Sequence, residues 1–356
     1  MGVSDTGTPP PGGTANSPGG IPAATGLIER AAAEFAASIP SHPADDGYFG
    51  PGSVTWRLAA DLSAPIAGLR SLLVQALHPL AMAGVEQHSA WRADPVGRYA
   101  ATAGYLTVTT YGDRAAAERA AAVVRRIHEH VRGTDTVTGK PYAADDPDLL
   151  LWVHATTVDS TLRAASLFGS GGVGGSDGAG VTAQDADRYV AEMTAAAELI
   201  GMPSGLAPSS VAELDSYLAR VRPELRATPA ASDVAAYLLN PGLFPGSERS
   251  ASRGTPPDPE LRPGSDHSAF RGTPPDPRGL DEGVAELWDE IRDGVLGSLP
   301  DWAEDLYGFP HRELSEARRE EIRQALGVFD ALTIGEPGVL EARQRIELRI
   351  REARRP

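Results

Sequence analysis

Apolar residues recur with a helical period along most of this chain. The segment 182–200 shows the pattern clearly, because Tyr189, Met193, Ala196 and Ile200 fall on one face. No run alternates as a half-buried strand should, and Thr107–Thr110 is the one weak strand candidate. The pattern predicts helices over 26–38, 53–61, 64–78, 79–89, 94–111, 114–132, 147–168, 182–200, 211–221, 232–239, 281–296, 312–332 and 337–354.

Capping residues mark where several of these helices begin and end. Asp94 precedes Pro95 and Asp146 precedes Pro147, so each aspartate can cap a helix that has proline at its first position. Asp113 is placed to cap the helix that follows it. Predicted helix ends are followed by Gly112, Gly133 and Gly169. The predicted fold class is therefore all-α, a single large helical domain.

Three segments are predicted to be disordered or flexible. Residues 1–22 form a tail rich in Gly, Pro, Ser and Thr, which cannot bury enough apolar area to fold. Residues 169–180 are a Gly-rich loop. Residues 246–279 carry the heptapeptide RGTPPDP twice, which indicates an expanded surface insertion or, alternatively, a polyproline motif for a partner. One helical domain is expected over 23–356.

Composition and charge narrow the possible chemistry. The chain has no cysteine, which excludes disulfides, thiolate metal sites and a cysteine nucleophile. A net charge of −16 argues against a nucleic-acid partner, because phosphate contacts need a basic surface. The N-terminus lacks the features of a signal peptide, and no stretch reaches the ~20 apolar residues of a spanning helix. We expect a soluble cytoplasmic protein.

Histidine is the strongest transition-metal ligand left, and two of the eight histidines lie in VVRRIHEHVRG. His128 and His130 are separated by ~200° of rotation on a helix, so their rings face opposite ways. His128 borders the apolar stripe, and His130 lies farther from it. The spacing suits ligation of a cofactor by a single histidine from one side. A histidine with a purely structural role in the core is the alternative.

His154 lies in the almost continuously apolar helix LLLWVHATTVDSTLRA. Burying a histidine in such a helix costs free energy unless the ring finds a partner. Asp159 and Arg163 are four residues apart in the same helix and can pair on one face. These features favour either a polar network within the core or a residue that lines a pocket.

Two further pairs of polar residues are candidates for a site. Arg98 and Thr102 project from one helix face, where Arg98 could bind a carboxylate such as a haem propionate or form a surface ion pair. Glu86 and His88, in GVEQHSAW, are candidate acid–base groups on spacing alone.

Four motifs occur together in this chain: QALHP, a helix that opens with DPVGR, IHEHVRG, and GKPYAADDPDLLLWVHAT. In this combination the chain resembles the rubber oxygenase and mpaB-type oxygenase family. That family includes the bacterial latex clearing proteins, the fungal oxygenase of mycophenolic acid biosynthesis and many actinobacterial proteins. The resemblance is strongest over residues 48–221.

The resemblance implies an all-α domain that encloses haem b and uses dioxygen to cleave carbon–carbon double bonds in isoprenoid chains. It implies that His128 is the proximal iron ligand. Latex clearing proteins carry an RxxKT pattern, which falls here on Arg98, Ala101 and Thr102. Because alanine replaces the lysine, the distal position is either open or covered by another group, the candidates being His78, His88 and His154.

The predicted function is a haem b-dependent oxygenase that uses dioxygen on a small apolar, isoprenoid-like or secondary-metabolite substrate. The alternatives are a non-catalytic haem sensor or carrier and a cofactor-free helical interaction protein. The sequence does not fix the oligomeric state. The predicted cofactor-binding residues are Arg98, Thr102, His128 and Arg132. The predicted catalytic residues are Glu86, His88 and His154.

Overall fold

The computed structural model of the chain describes residues 37–39, 43–170, 181–240, 282–334 and 338–353. Several predictions lie outside the described residues: the disordered tail 1–22, the insertion 246–279, nearly all of the loop 169–180 and most of the helix 26–38.

The described residues fold almost entirely into helices, which confirms the predicted all-α class. They are α1 (Val54–Ala59), α2 (Ala64–Ala76), α3 (Pro79–His88), α4 (Pro95–Tyr111), α5 (Arg114–His128), α6 (Pro147–Phe168), α7 (Ala183–Leu199), α8 (Val211–Val221), α9 (Pro229–Leu239), α10 (Glu282–Leu296), α11 (Asp301–Tyr307), α12 (Glu316–Ile334) and α13 (Val339–Ala353). A short 3-10 turn, Arg222–Glu224, follows α8.

The predicted aspartate caps are confirmed. Asp94 accepts a hydrogen bond from the backbone N–H of Gly97 at 2.9 Å, at the start of α4. Asp113 accepts from Ala116 at 2.8 Å and so begins α5 directly after α4 ends. Asp146 caps α6 in the same way. Each bond satisfies a donor that the first helical turn would otherwise leave unpaired.

Helices α2 and α3 meet in a sharp bend at His78-Pro79. His78 is extended because proline follows it, and its Nδ1 accepts from the N–H of Ala81 at 3.4 Å, which caps α3. No single described helix is long and apolar enough to cross a membrane, whereas α2 and α3 together, bent by 102°, pass that test of length and composition.

The core is centred on α2 and α6, the most closely packed pair of helices in the structure. Leu73 and Trp152 are fully buried between these layers. Arg70 of α2 is buried and donates to the carboxylate of Asp159 at 2.7 Å. Asp159 therefore pairs with Arg70, whereas the sequence predicted a pair with Arg163. Arg70 also donates to the carbonyl of Ser298, so a buried charge links three parts of the fold.

A two-stranded hairpin interrupts the helical fold and was not predicted. Its strands β1 (Arg132–Thr134) and β2 (Pro141–Ala143) pair antiparallel, with Gly133 opposite Tyr142. The predicted helix 114–132 was therefore wrong in its last turn. After His128 the chain tightens, with the N–H of Val131 bonded to the His128 carbonyl at 3.1 Å, and then enters β1.

The strand candidate Thr107–Thr110 was wrong, since these residues lie within α4. The hydroxyls of Thr107 and Thr109 donate to the carbonyls four residues earlier, which accommodates β-branched residues in a helix. Helix α11 was missed because it is only seven residues long.

Candidate cofactor site

His128 is the last residue of α5, and its ring is half-buried. Its Nδ1 is buried and, among the described residues, has no hydrogen-bond partner. Desolvation lowers the pKa of His128, and the positive charge of Arg98 lowers it further, against a smaller opposing effect of Asp145. The ring is therefore neutral near pH 7, the form in which histidine binds a metal.

His130 points away from His128, as the two-residue spacing predicts. It is exposed, and its Nδ1 lies 2.8 Å from the carbonyl of Arg126. Arg132, predicted to bind a cofactor, is also exposed and donates to Asp145 at 2.6 Å. Arg132 thus pairs with the carboxylate that acts on His128, and its guanidinium is held at the start of β1.

Arg98 and Thr102 lie on one face of α4, as predicted. The guanidinium donates to Thr102 Oγ1 at 2.7 Å, and that hydroxyl donates to the carbonyl of Arg98. Arg98 is exposed by surface area, yet desolvation by the surrounding protein lowers its pKa. A side chain that is both accessible and enclosed lies in a concave part of the surface.

His154 of α6 has the same combination of properties. Its ring is half-buried and makes no hydrogen bond to any residue that the structure describes, and desolvation lowers its pKa to about 4. The neighbouring hydroxyls of Thr156 and Thr157 are satisfied by backbone carbonyls one turn earlier. Of the polar groups in this part of α6, His154 is the one left without a partner in the described fold.

Arg98, His128 and His154 are each at least partly accessible although the surrounding protein desolvates them, which indicates a concave surface beside α4, α5 and α6, called the recess below. The hairpin touches the rest of the fold at separate points, with Tyr111 on Trp56 at one end and Arg125 bonded to the Leu199 carbonyl at the other. Val153 is 41% exposed, although α6 is a central helix. An apolar side chain accessible on a central helix indicates open space beside it.

Two residues at this recess could not be predicted from the sequence. Tyr99 of α4 reaches toward α2, where a Cβ on Gly68 would lie 3.7 Å from its hydroxyl. Gln75 of α2 donates to Thr157 Oγ1 at 3.1 Å and so fixes the accessible face of α6. Both contacts are between helices far apart in the chain, and no local motif signals them.

Glu86 lies at the end of α3 and is engaged by its neighbours. It accepts from Trp91 Nε1 at 3.1 Å and from Arg92 Nε at 3.0 Å. Arg92 in turn pairs with Asp233 of α9 at 2.8 Å. These contacts favour a role in attaching α3 to α9 over the predicted role in acid–base catalysis.

His88 lies on another side of α3 from Glu86 and faces the β1–β2 hairpin. Its Nε2 lies 3.1 Å from the hydroxyl of Tyr142, which donates to Gln87 at 2.9 Å. His78 caps α3 and packs against Trp152, with ring centroids 5.8 Å apart. Of the three histidines considered for the distal position, His154 is therefore the one whose contacts leave it free for a ligand in this part of the structure.

Two small cavities lie elsewhere in the described fold. One, of about 150 Å³, lies beside α13, and the other, of about 220 Å³, lies between α6, α7 and α8. Both are smaller than the roughly 300–1,000 Å³ of cofactor and small-molecule sites. The described residues contain no group of three or more histidine and carboxylate side chains arranged to hold a metal ion.

The fold and this site define an all-α protein with a recess and two neutral histidines, His128 and His154, that have no hydrogen-bond partner among the described residues. The chain belongs to the family described as ER-bound oxygenase mpaB/B'/Rubber oxygenase, catalytic domain, whose model matches residues 56–331. The match begins within α1 and ends within α12, so it extends well beyond the 48–221 region where the resemblance was strongest. The chain therefore carries an oxygenase domain.

No curated protein and no solved structure matches the chain significantly.

Proposed function

We propose that the protein is a haem b-dependent oxygenase that uses dioxygen on a small apolar substrate bound in the recess, with cleavage of a carbon–carbon double bond as the expected reaction. The observation that carries the proposal is the ring of His128, which is neutral, half-buried and has an unpartnered nitrogen. A buried polar atom without a partner is costly unless a ligand satisfies it.

The residues at the recess fit haem b. Haem needs a single protein ligand on its proximal side, and His128 is the residue we assign to the iron. Haem propionates need cationic partners, and Arg98 has a charge close enough to lower the pKa of His128. Thr102 holds the Arg98 guanidinium in place. Ala101 is exposed on α4 at the position where latex clearing proteins have a lysine, and it would leave room there for a ligand.

The chain's own groups then have separate tasks. Haem, when bound, would supply the iron that activates dioxygen. His128 would set the electronic properties of that iron, and Arg98 would orient the cofactor. His154 is the group we propose to face the reacting atoms, because its neutral imidazole can both donate and accept a hydrogen bond. Val153 and the neighbouring apolar wall would bind the substrate and exclude water.

A haem carrier without catalytic activity is the second candidate. It is favoured by one observation, namely that His154 is also neutral and unpartnered within the described fold and so could be a second axial ligand. A carrier of this kind would hold six-coordinate iron between two histidines.

Two measurements on the haem-loaded protein separate these functions. An oxygenase should bind carbon monoxide in the ferrous state and consume dioxygen when an isoprenoid alkene is added. A carrier should resist carbon monoxide, consume no dioxygen and become five-coordinate in the variant His154→Leu. Absence of dioxygen consumption with a carbon monoxide-insensitive spectrum would contradict the oxygenase proposal.

A further inference from the structure

Tyr99 extends from the α4–α5 hairpin across the recess toward the core. It follows Arg98 on α4, and its hydroxyl points at the one position on α2 where there is no side chain to block it. A Cβ added to Gly68 would be in van der Waals contact with that hydroxyl, at 3.7 Å. The phenol therefore occupies the space between α4 and α2 and forms part of the recess wall.

The hydroxyl of Tyr99 has no hydrogen-bond partner in the part of the chain that the structure describes. The side chain is half-buried, and desolvation raises its pKa, so the phenol stays protonated and remains a donor. His154 of α6 also has no hydrogen-bond partner among the described residues.

Apart from His128, which we assign to the iron, the other polar side chains near the recess have a partner within the protein. Arg98 and Thr102 bond to each other, and Gln75 bonds to Thr157. The rest of the accessible surface here includes apolar side chains, with Val153 41% and Leu106 43% exposed. An apolar recess with a free phenol and a free imidazole matches a ligand that is itself mainly apolar but carries a polar group.

We propose that Tyr99 is a specificity-determining residue whose hydroxyl donates a hydrogen bond to the substrate, and that the substrate is an amphipathic chain. It would have an apolar body and a hydroxyl, carbonyl or carboxylate group, in contrast to a pure hydrocarbon. The inference rests on the proposed function, since it assigns the substrate class of the same recess.

The test compares two isoprenoids of equal chain length, the alcohol farnesol and the hydrocarbon farnesene. Their affinities are measured by isothermal titration calorimetry, on the protein as purified and after loading with haem b. We expect farnesol to bind about tenfold more tightly, which corresponds to one well-formed hydrogen bond. In Tyr99→Phe most of this preference should be lost, with the affinity for farnesene unchanged.

Tyr105→Phe is the matched control. Tyr105 lies on the same helix, but it packs against Ala117, Ala121 and Leu199 on the side of α4 that faces α5 and α7. This variant should keep the full preference for farnesol. Thermal unfolding of both variants shows whether either change disturbs the fold.

The outcomes separate this inference from the proposed function. Equal binding of the two isoprenoids by the wild-type protein, or a preference that survives in Tyr99→Phe, would overturn the role of Tyr99. An equal loss of affinity for farnesol and farnesene in Tyr99→Phe would also overturn it, because the hydroxyl would then affect only the shape of the recess. A Tyr99-dependent preference in a protein that takes up no haem would support the inference and contradict the haem proposal.

Discussion

The polar residues around the recess divide into those that the protein satisfies and those that it leaves open. Glu86, His88 and Arg132 each have a protein partner, and these contacts attach elements to one another. His128 and His154 have no such partner in the described fold and are desolvated. Two desolvated histidines without a partner in the protein are typical of a functional site.

The low pKa of His154 should make the stability of the haem-free protein depend on pH. The unfolded ring has a pKa of 6.5 and the folded ring about 4, so acid protonates the unfolded state first. Stability is therefore lost as pH falls from about 6.5 toward 4. Between about pH 7.5 and about pH 5, the free energy of unfolding measured in urea should fall by about 2 kcal/mol less in His154→Leu than in the wild-type protein.

His130→Gln is the control for this prediction, because it also removes a histidine but at an exposed position. It should keep the wild-type dependence on pH. An equal pH dependence in His154→Leu and the wild-type protein would show that the ring is well solvated in the folded state.

At the scale of elements, sequence reasoning succeeded where the determinant is local. The starts of α4, α5 and α6 follow from aspartate caps that bond three residues or fewer along the chain. The hairpin could not be predicted this way, because each strand has three residues and its position depends on Tyr142 packing against α3. Tyr142 contacts Gln87 and His88, some 55 residues earlier in the chain.

A substitution in the β1–β2 hairpin tests whether the packing of Tyr142 fixes its position. A Cβ at Gly133 would lie 2.6 Å from the hydroxyl of Tyr142, which is buried and bonded on both sides. Gly133→Ala should therefore lower the free energy of unfolding by about 1–3 kcal/mol, as overpacking does. Gly52→Ala, where the added Cβ meets nothing within 4 Å, is the control and should be nearly neutral in urea unfolding. An unchanged free energy of unfolding in Gly133→Ala would mean that Tyr142 is free to move.

For the whole molecule, the recess results from how the layers are connected. The α4–α5 hairpin packs on itself and contacts the rest of the fold through side chains that include Tyr111, Arg125 and Tyr99, whereas α2 and α6 pack tightly against each other. The all-α class and the candidate His128 could be predicted from periodicity, spacing and family resemblance. Tyr99 and Gln75 could not, because their roles exist only once helices distant in the chain are brought together.

The binding of haem b through His128 is the central claim, and absorption titration tests it most directly. We predict that the wild-type protein binds close to one haem per chain with a defined Soret band. His128→Ala should lose or strongly change that band, and His130→Ala, two residues away and facing outward, should retain it. An unchanged Soret band in His128→Ala, or no haem uptake by the wild-type protein, would contradict the claim.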